Sequence, residues 1–252
     1  MGFFCVNLQR NMSRIVIIPT YNEIENIAEM LSAILSVDDD FHVLIVDDNS
    51  PDGTADKVKE FQKQHVNRIH MLERSSKQGL GTAYISGFKW CLDHHYDFIF
   101  EMDCDFSHNP SDLSRLYEAC EVEGVDVVVG SRYVNHLVNV VNWPMGRVLL
   151  SYFASMYVRF ITRMKIMDTT AGFICYRRKV LEAIDLDKIK FRGYAFQIEM
   201  KFTALKHGFN LVEIPIIFTD RTKGESKMSQ GIVREALLGV IQMKIQSWFR
   251  SY

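Results

Sequence analysis

Two carboxylates one residue apart, Asp103 and Asp105, follow the apolar run from Tyr96 to Met102. Like charges this close repel each other and resist desolvation, and a divalent cation relieves both costs. Oxygen-only ligands select a hard ion, Mg²⁺ or Mn²⁺, which usually binds through one or two carboxylates plus substrate phosphates. A plain polar strand-to-loop junction accounts for the pair equally well when it is taken alone. Two more polar clusters bear on the choice: Pro19-Thr20-Tyr21-Asn22-Glu23 and Asp47-Asp48-Asn49-Ser50-Pro51-Asp52-Gly53. Each has residues that favour turns and helix caps for local reasons. Each also follows an apolar β-branched run.

The elements that position these clusters follow from periodicity. Arg14 to Ile18 and His42 to Val46 read as strands, with a helical pattern over Ile24 to Leu35 between them. A helix from Thr54 to Gln64, a strand near Ile69 to Leu72 and a helix from Gly81 to Asp93 precede the strand that delivers Asp103. A helix beginning near Asn109-Pro110-Ser111 and a strand from Val125 to Val129 follow. Alternation of this kind predicts an α/β fold, with a mostly parallel central sheet and helices on both faces. Ligands of such sheets sit at the carboxyl ends of the strands, so all three polar clusters converge on one edge.

Composition narrows the classes. The 252 residues are 48% hydrophobic and 24% charged, enough for a substantial core. A net charge of -2 gives no reason to expect nucleic acid as a partner. Cys5, Cys91, Cys104, Cys120 and Cys175 are scattered without a Cys-x-x-Cys pair, which suits a reducing compartment. The chain is expected to hold one domain over residues 13–252, with residues 1–12 a loose extension and Met12 a candidate initiator. Gly79 and Gly81 fall short of a dinucleotide fingerprint, and no Gly-Lys-Ser/Thr phosphate loop is present.

The longest membrane-span candidate, Val148 to Val158, is closed off by Arg147 and Arg159, well short of the ~20 residues a spanning helix needs. Trp143 to Met164 and Gly231 to Phe249 nevertheless read as helices with broad apolar surfaces. Burial against the sheet is the usual fate of such helices, and docking on a membrane surface is the alternative.

The ordered set Ile17-Ile18-Pro19-Thr20-Tyr21-Asn22-Glu23, Val46-Asp47-Asp48-Asn49-Ser50, Gly79-Leu80-Gly81-Thr82-Ala83 and Asp103-Cys104-Asp105-Phe106-Ser107-His108 resembles family 2 glycosyltransferases. Gly130-Ser131-Arg132-Tyr133 and Asp220-Arg221-Thr222-Lys223-Gly224-Glu225-Ser226-Lys227 resemble the dolichyl- or polyprenyl-phosphate mannosyltransferases within that family. The resemblance implies a GT-A type fold, a GDP-mannose donor and a polyprenyl monophosphate acceptor. By it Asp105 binds Mg²⁺ or Mn²⁺, and Asp103 and Cys104 sit beside the donor. Pro19, Tyr21, Glu23, Val46 and Asp48 match positions that hold base and ribose. Ser107 stands where some members carry a glutamine ligand; a hydroxyl binds a cation more weakly, which points to contact through water. His108 is read as a polar loop residue, since a neutral imidazole suits Mg²⁺ poorly.

The resemblance places Arg132, Arg147, Arg221 and Lys227 near the phosphates, where arginine forks suit phosphate oxygens. Of these, Arg132, Arg221 and Lys227 join Asp105 as the expected catalytic set. A lipid monophosphate already carries between one and two negative charges near neutral pH and needs no strong general base. Residues 13–133 then form a donor- and metal-binding half and 134–252 an acceptor half, whose apolar helices face a membrane. The implied location is cytoplasmic, peripheral to the cytoplasmic face of a membrane. Two other functions fit the same residues. One is transfer from UDP-glucose or another nucleotide sugar to the same kind of lipid, and the other is non-catalytic nucleotide-sugar binding.

Overall fold

The computed structural model describes residues 12–134, 137–221 and 230–248. Strands β1 (Arg14–Thr20), β2 (Phe41–Asp47), β3 (Ile69–Glu73), β4 (Phe98–Glu101), β5 (Val127–Ser131), β7 (Ile174–Arg177) and β8 (Leu211–Pro215) build one sheet in the order β3-β2-β1-β4-β7-β5-β8. All pairings are parallel except those of β7, which runs against both β4 and β5. The order reverses between β1 and β4, the place where open α/β sheets leave a crevice. The mostly parallel sheet expected from sequence is therefore present, with one reversed strand in it.

Alternate residues of each strand feed two cores, as the two-residue strand period requires. On one face Ile15, Ile17, Leu44 and Val46 pack against α3 (Leu80–Asp93), α6 (Arg178–Ala183) and α7 (Tyr194–Lys206). On the other, Val16, Ile18, Val43 and Ile45 pack against α1 (Ile27–Leu35), α2 (Thr54–Gln64) and α4 (Asp112–Glu121). The close approach of α3 to α7 depends on Gly81, where a Cβ would lie 2.8 Å from the Phe191 carbonyl oxygen and the Phe196 ring. Cys91, Cys104, Cys120 and Cys175 are buried free thiols.

A third cluster joins α5 (Met145–Thr162) and α8 (Gln230–Gln246) to α7 through Val158, Met164, Ile198, Phe202, Val240 and Met243. Of the two fates open to α5 from sequence, burial as a core helix is not what the structure has: only Ser155, Val158 and Thr162 of it are buried. Met145, Leu149, Phe153, Met156 and Phe160, spaced three and four apart, form an exposed stripe, with Phe160 78% exposed. Leu238, Ile241, Ile245 and Trp248 are exposed on the neighbouring segment. No helix among the described residues is long and apolar enough to cross a membrane.

A two-stranded ribbon, β6 (Val140–Val141) with β9 (Phe218–Thr219), lies over the acidic loop. The Thr219 N–H donates to the Ser107 carbonyl at 3.1 Å, which brings Asp220 and Arg221 to the same edge as Asp105.

Candidate active site

Each of the three polar loops turns through a left-handed residue: Asn22 (φ 58°), Asn49 (φ 58°) and Phe106 (φ 59°). Asparagine tolerates this conformation; phenylalanine does so at a cost of about 1–2 kcal/mol. Asp48 follows β2 and meets Arg74 at 3.2 Å, and burial raises its pKa although Arg74 opposes. Beside it, Asp47 accepts hydrogen bonds from the Thr20 hydroxyl at 2.7 Å and the Ser50 hydroxyl at 2.6 Å. Pro19 and Val46 are register partners across β1 and β2, Lys77 lies 4.2 Å over the Tyr21 ring, and Glu23 accepts from Asn26. The side chains of Val46 and Cys104 enter the two cores, so any donor contact from these positions comes from their backbone.

Beyond β4 the carboxylates are unlike each other. Asp105 Oδ1 accepts from the Ser107 N–H at 3.1 Å, and its Oδ2 meets Arg221 Nη2 at 2.9 Å. Asp103 is pushed up to about 7, first by burial and then by the Asp105 charge, against the pull of Arg221. Ser107 Oγ is buried with no hydrogen-bond partner among the described residues. Two oxygen-bearing acids and an unanswered hydroxyl at one corner fit a hard divalent cation completed by substrate phosphates. No group of three or more His, Cys, Asp or Glu that could hold a metal occurs among the described residues.

A cavity of about 210 Å³ gathers Asp103, Asp105, Ser107, His108, Arg132, Arg147 and Arg221. Of the expected site residues, Pro19, Tyr21, Glu23, Val46, Asp48 and Cys104 do not line it. Lys227 lies outside the described residues. Arg132, just beyond β5, is held by a buried carboxylate: its backbone N, Nε and Nη2 donate to Asp168 at 3.0, 2.7 and 2.6 Å. Burial alone would raise Asp168, but the Arg132 charge and hydrogen bonds outweigh it and hold the carboxyl below its usual range. Arg147 instead makes a half-exposed pair with Asp220 at 2.9 Å and lies 4.2 Å over the Trp143 ring.

Sequence reading missed a buried polar group under this cavity. Glu101, Gln197 and Lys201 are almost inaccessible to solvent, and Gln197 lines the cavity wall. Burial pushes Glu101 up to about 8 and pulls Lys201 down to about 8. His108 is held neutral, its pKa lowered to about 4 by burial, with its ring 5.0 Å from that of Phe173. The i, i+4 spacing of Gln197 and Lys201 was visible in the sequence; nothing there indicated that this polar face turns inward.

The doubly covered sheet, with an acidic loop at the switch point and arginines around one cavity, is the architecture of a GT-A type glycosyltransferase. The chain belongs to glycosyl transferase family 2, whose model matches residues 15–185. It is 45% identical over 232 residues to the polyprenol monophosphomannose synthase of Mycolicibacterium smegmatis, covering 92% of this chain and 87% of that protein. It is also 45% identical over 229 residues to the undecaprenyl-phosphate mannosyltransferase of Micrococcus luteus, covering 91% of this chain and 93% of the other. Among solved structures, a mannosyltransferase from Pyrobaculum calidifontis in complex with GDP-Man and Mn²⁺ shares the fold. Its TM-score is 0.62 at 18% identity, over 96% of this chain and 66% of that one. Glucosyl-3-phosphoglycerate synthase from Mycobacterium tuberculosis, with Mn²⁺, UDP and product, gives a TM-score of 0.69 at 14% identity, over 92% and 80% of the two chains.

Proposed function

We propose that the protein transfers mannose from GDP-mannose to a polyprenyl monophosphate in one inverting displacement, giving polyprenyl-phosphate mannose and GDP. The observation that carries this reading is a single cavity lined by both an acidic pair and three arginines, Arg132, Arg147 and Arg221. A site for one phosphate group needs either acids for a cation or arginines; two phosphate-bearing substrates explain both. The names of the two relatives at 45% identity support mannose and a polyprenyl phosphate.

In this reading Pro19, Tyr21, Glu23 and Asp48 hold the guanosine, with backbone contacts from Val46 and Cys104. Asp103 faces the sugar, and Asp105 with Ser107 holds Mg²⁺ or Mn²⁺. The bound cation would offset charge gathering on the departing diphosphate. Arg132, fixed by Asp168, orients the lipid phosphate with Arg147, Arg221 and Lys227. An oxygen of that phosphate bonds to the anomeric carbon as the bond to the diphosphate oxygen breaks, and the electron pair leaves with GDP. Holding both substrates in line supplies most of the acceleration. Residues 13–133 serve the donor and 134–252 the acceptor. On α5, Leu150, Ala154 and Tyr157 line the cavity, and the exposed stripe from Met145 to Phe160 continues beside them. That continuity suits an isoprenoid tail and peripheral docking on the cytoplasmic face of a membrane.

The test supplies labelled nucleotide sugars, a short polyprenyl phosphate and either Mg²⁺ or Mn²⁺, then extracts the lipid. Label from GDP-mannose should move into the organic phase. Mannose that stays wholly aqueous overturns the reading.

A further inference from the structure

Under the acidic loop, Glu101 lies two residues before Asp103, so the strand period puts both side chains on one side of the chain. Glu101 is 0% exposed and accepts a hydrogen bond from Gln197 Nε2, with the Tyr176 hydroxyl nearby. Lys201, one helical turn beyond Gln197 on α7, is also 0% exposed. Its Nζ donates to the carbonyls of Ala171 at 2.6 Å, Gln197 at 3.2 Å and Thr169 at 3.3 Å. These bonds tie the start of α7 to the loop that carries Asp168 and Thr170.

The result is an amide whose nitrogen is turned to Glu101. Gln197 is 3% exposed, its nitrogen is committed to Glu101, and its Oε1 has no partner among the described residues. Leaving a buried carbonyl without a donor is unfavourable. The side chain is one wall of the cavity, and Asp103 is another. Both side chains carry acceptor oxygens. A phosphate would be repelled by this corner, and a neutral molecule rich in hydroxyl donors would be matched by it.

We propose that Gln197 Oε1 accepts a hydroxyl of the transferred hexose, making Gln197 a sugar-specificity residue, with Glu101 and Lys201 as the positioning residues that fix its amide. This rests on the reading of the site as a mannosyl-transfer site. It adds which side of the cavity reads the sugar. A pocket built to hydrogen-bond a hydroxyl rejects the analogue lacking it far more strongly than an apolar pocket rejects a change of one methylene.

The test is a set of GDP-mannose donors lacking one hydroxyl each, read as kcat/KM relative to unmodified donor. The unaltered enzyme should disfavour one member of the set about tenfold to a hundredfold beyond the intrinsic effect of deoxygenation on the others. In Gln197→Met, of similar volume, that particular penalty should vanish while GDP affinity stays the same. Gln197→Asn, which withdraws the amide by one methylene, is a second variant read by the same ratio. Glu101→Gln frees the amide to flip and should weaken the same discrimination, again with GDP affinity unchanged. Equal slowing of all donors by these variants, unmodified and deoxy alike, overturns the proposal. Failure of the donor reading shows separately, as no transfer of unmodified mannose by the unaltered enzyme. The deoxy series is then run on the sugar that is transferred, where a lost penalty supports the role of Gln197 and equal slowing overturns it.

Discussion

The two ends of the mostly parallel sheet bury polar side chains in opposite ways. At the amino end His42, at the start of β2, lies 2.7 Å from the Tyr96 hydroxyl, which is 3.2 Å from Nε2 of His70 at the start of β3. His70 in turn packs 5.0 Å from Trp90, which stacks on His94 at 3.7 Å. These groups answer one another within the protein. At the carboxyl end Ser107 Oγ, His108 Nδ1, Trp143 Nε1 and Gln197 Oε1 are buried around the cavity without a partner among the described residues. Native proteins satisfy most buried polar atoms, so a concentration of unanswered ones beside a cavity marks where a ligand completes the structure. Unanswered atoms occur at the amino end too, Arg14 Nε among them, and what sets the carboxyl end apart is that its unanswered atoms belong to residues around one cavity.

The sharpest way to break this contrast is Asp105→Ala. Transfer to lipid should fall by about 10³-fold with the thermal midpoint little changed, as expected for loss of charge stabilisation at the reacting diphosphate. Activity within tenfold of the unaltered enzyme would remove the carboxyl end's claim to the chemistry. Next in size is Asp168→Ala, which leaves Arg132 buried and unpaired. It should cost about 3–5 kcal/mol in urea unfolding and also lower kcat, because removing one partner of a buried pair strands the other charge. Arg147→Ala breaks a pair whose side chains are 32% and 30% exposed, so stability should shift by less than about 1 kcal/mol. Its expected signature is a rise of about tenfold in the KM for polyprenyl phosphate.

The smallest effect on transfer belongs to the amino end. Tyr96→Phe should leave kcat/KM unchanged and cost about 1–3 kcal/mol of stability, since it strips the shared hydroxyl from two half-buried rings. The same rings make stability pH-dependent. Burial first, and then Arg68 for His42 and His42 for His70, hold both imidazoles below the usual value of 6.5. Between the lowered values and 6.5 the unfolded chain binds more protons than the folded one, so stability rises with pH across that window. Their contribution is therefore present above pH 6.5 and lost as pH falls below it. Asp103 and Glu101, raised by burial, act in the opposite sense over the same range, so the histidine contribution is read as a difference: between pH 5.5 and 7.5 the urea midpoint of a double His42→Phe, His70→Phe variant should gain less, or lose more, than that of the unaltered protein.

Much of the donor side was legible in the chain. The runs before Pro19, Asp47 and Asp103 are dense in β-branched and aromatic residues, and α2 spans Thr54–Gln64 as its pattern predicts. The reversed strand β7 was not legible, because Ile174-Cys175-Tyr176-Arg177 is too short for its period to show direction. In α7 the buried Gln197, Glu199 and Lys201 interrupt the apolar stripe that would announce a core helix. Conversely, α5 carries enough apolar residues for a buried helix and leaves Phe153 and Phe160 in the open. Both cases share a cause: at a ligand site, burial follows the needs of the missing partner, and hydropathy then misreports which face is inside.

The strand β7 also acts as a ruler. It stands alone between β4, which leads to Asp103 and Asp105, and β5, which leads to Arg132. Strand neighbours lie about 4.8 Å apart, so the strand ends that lead to Asp103 and to Arg132 are held two steps, or roughly 10 Å, from each other. A sheet can widen or narrow only by whole strands. On the proposed function, the gap between donor and acceptor phosphates is thus set in fixed increments, and side-chain substitution can adjust it only within one of them.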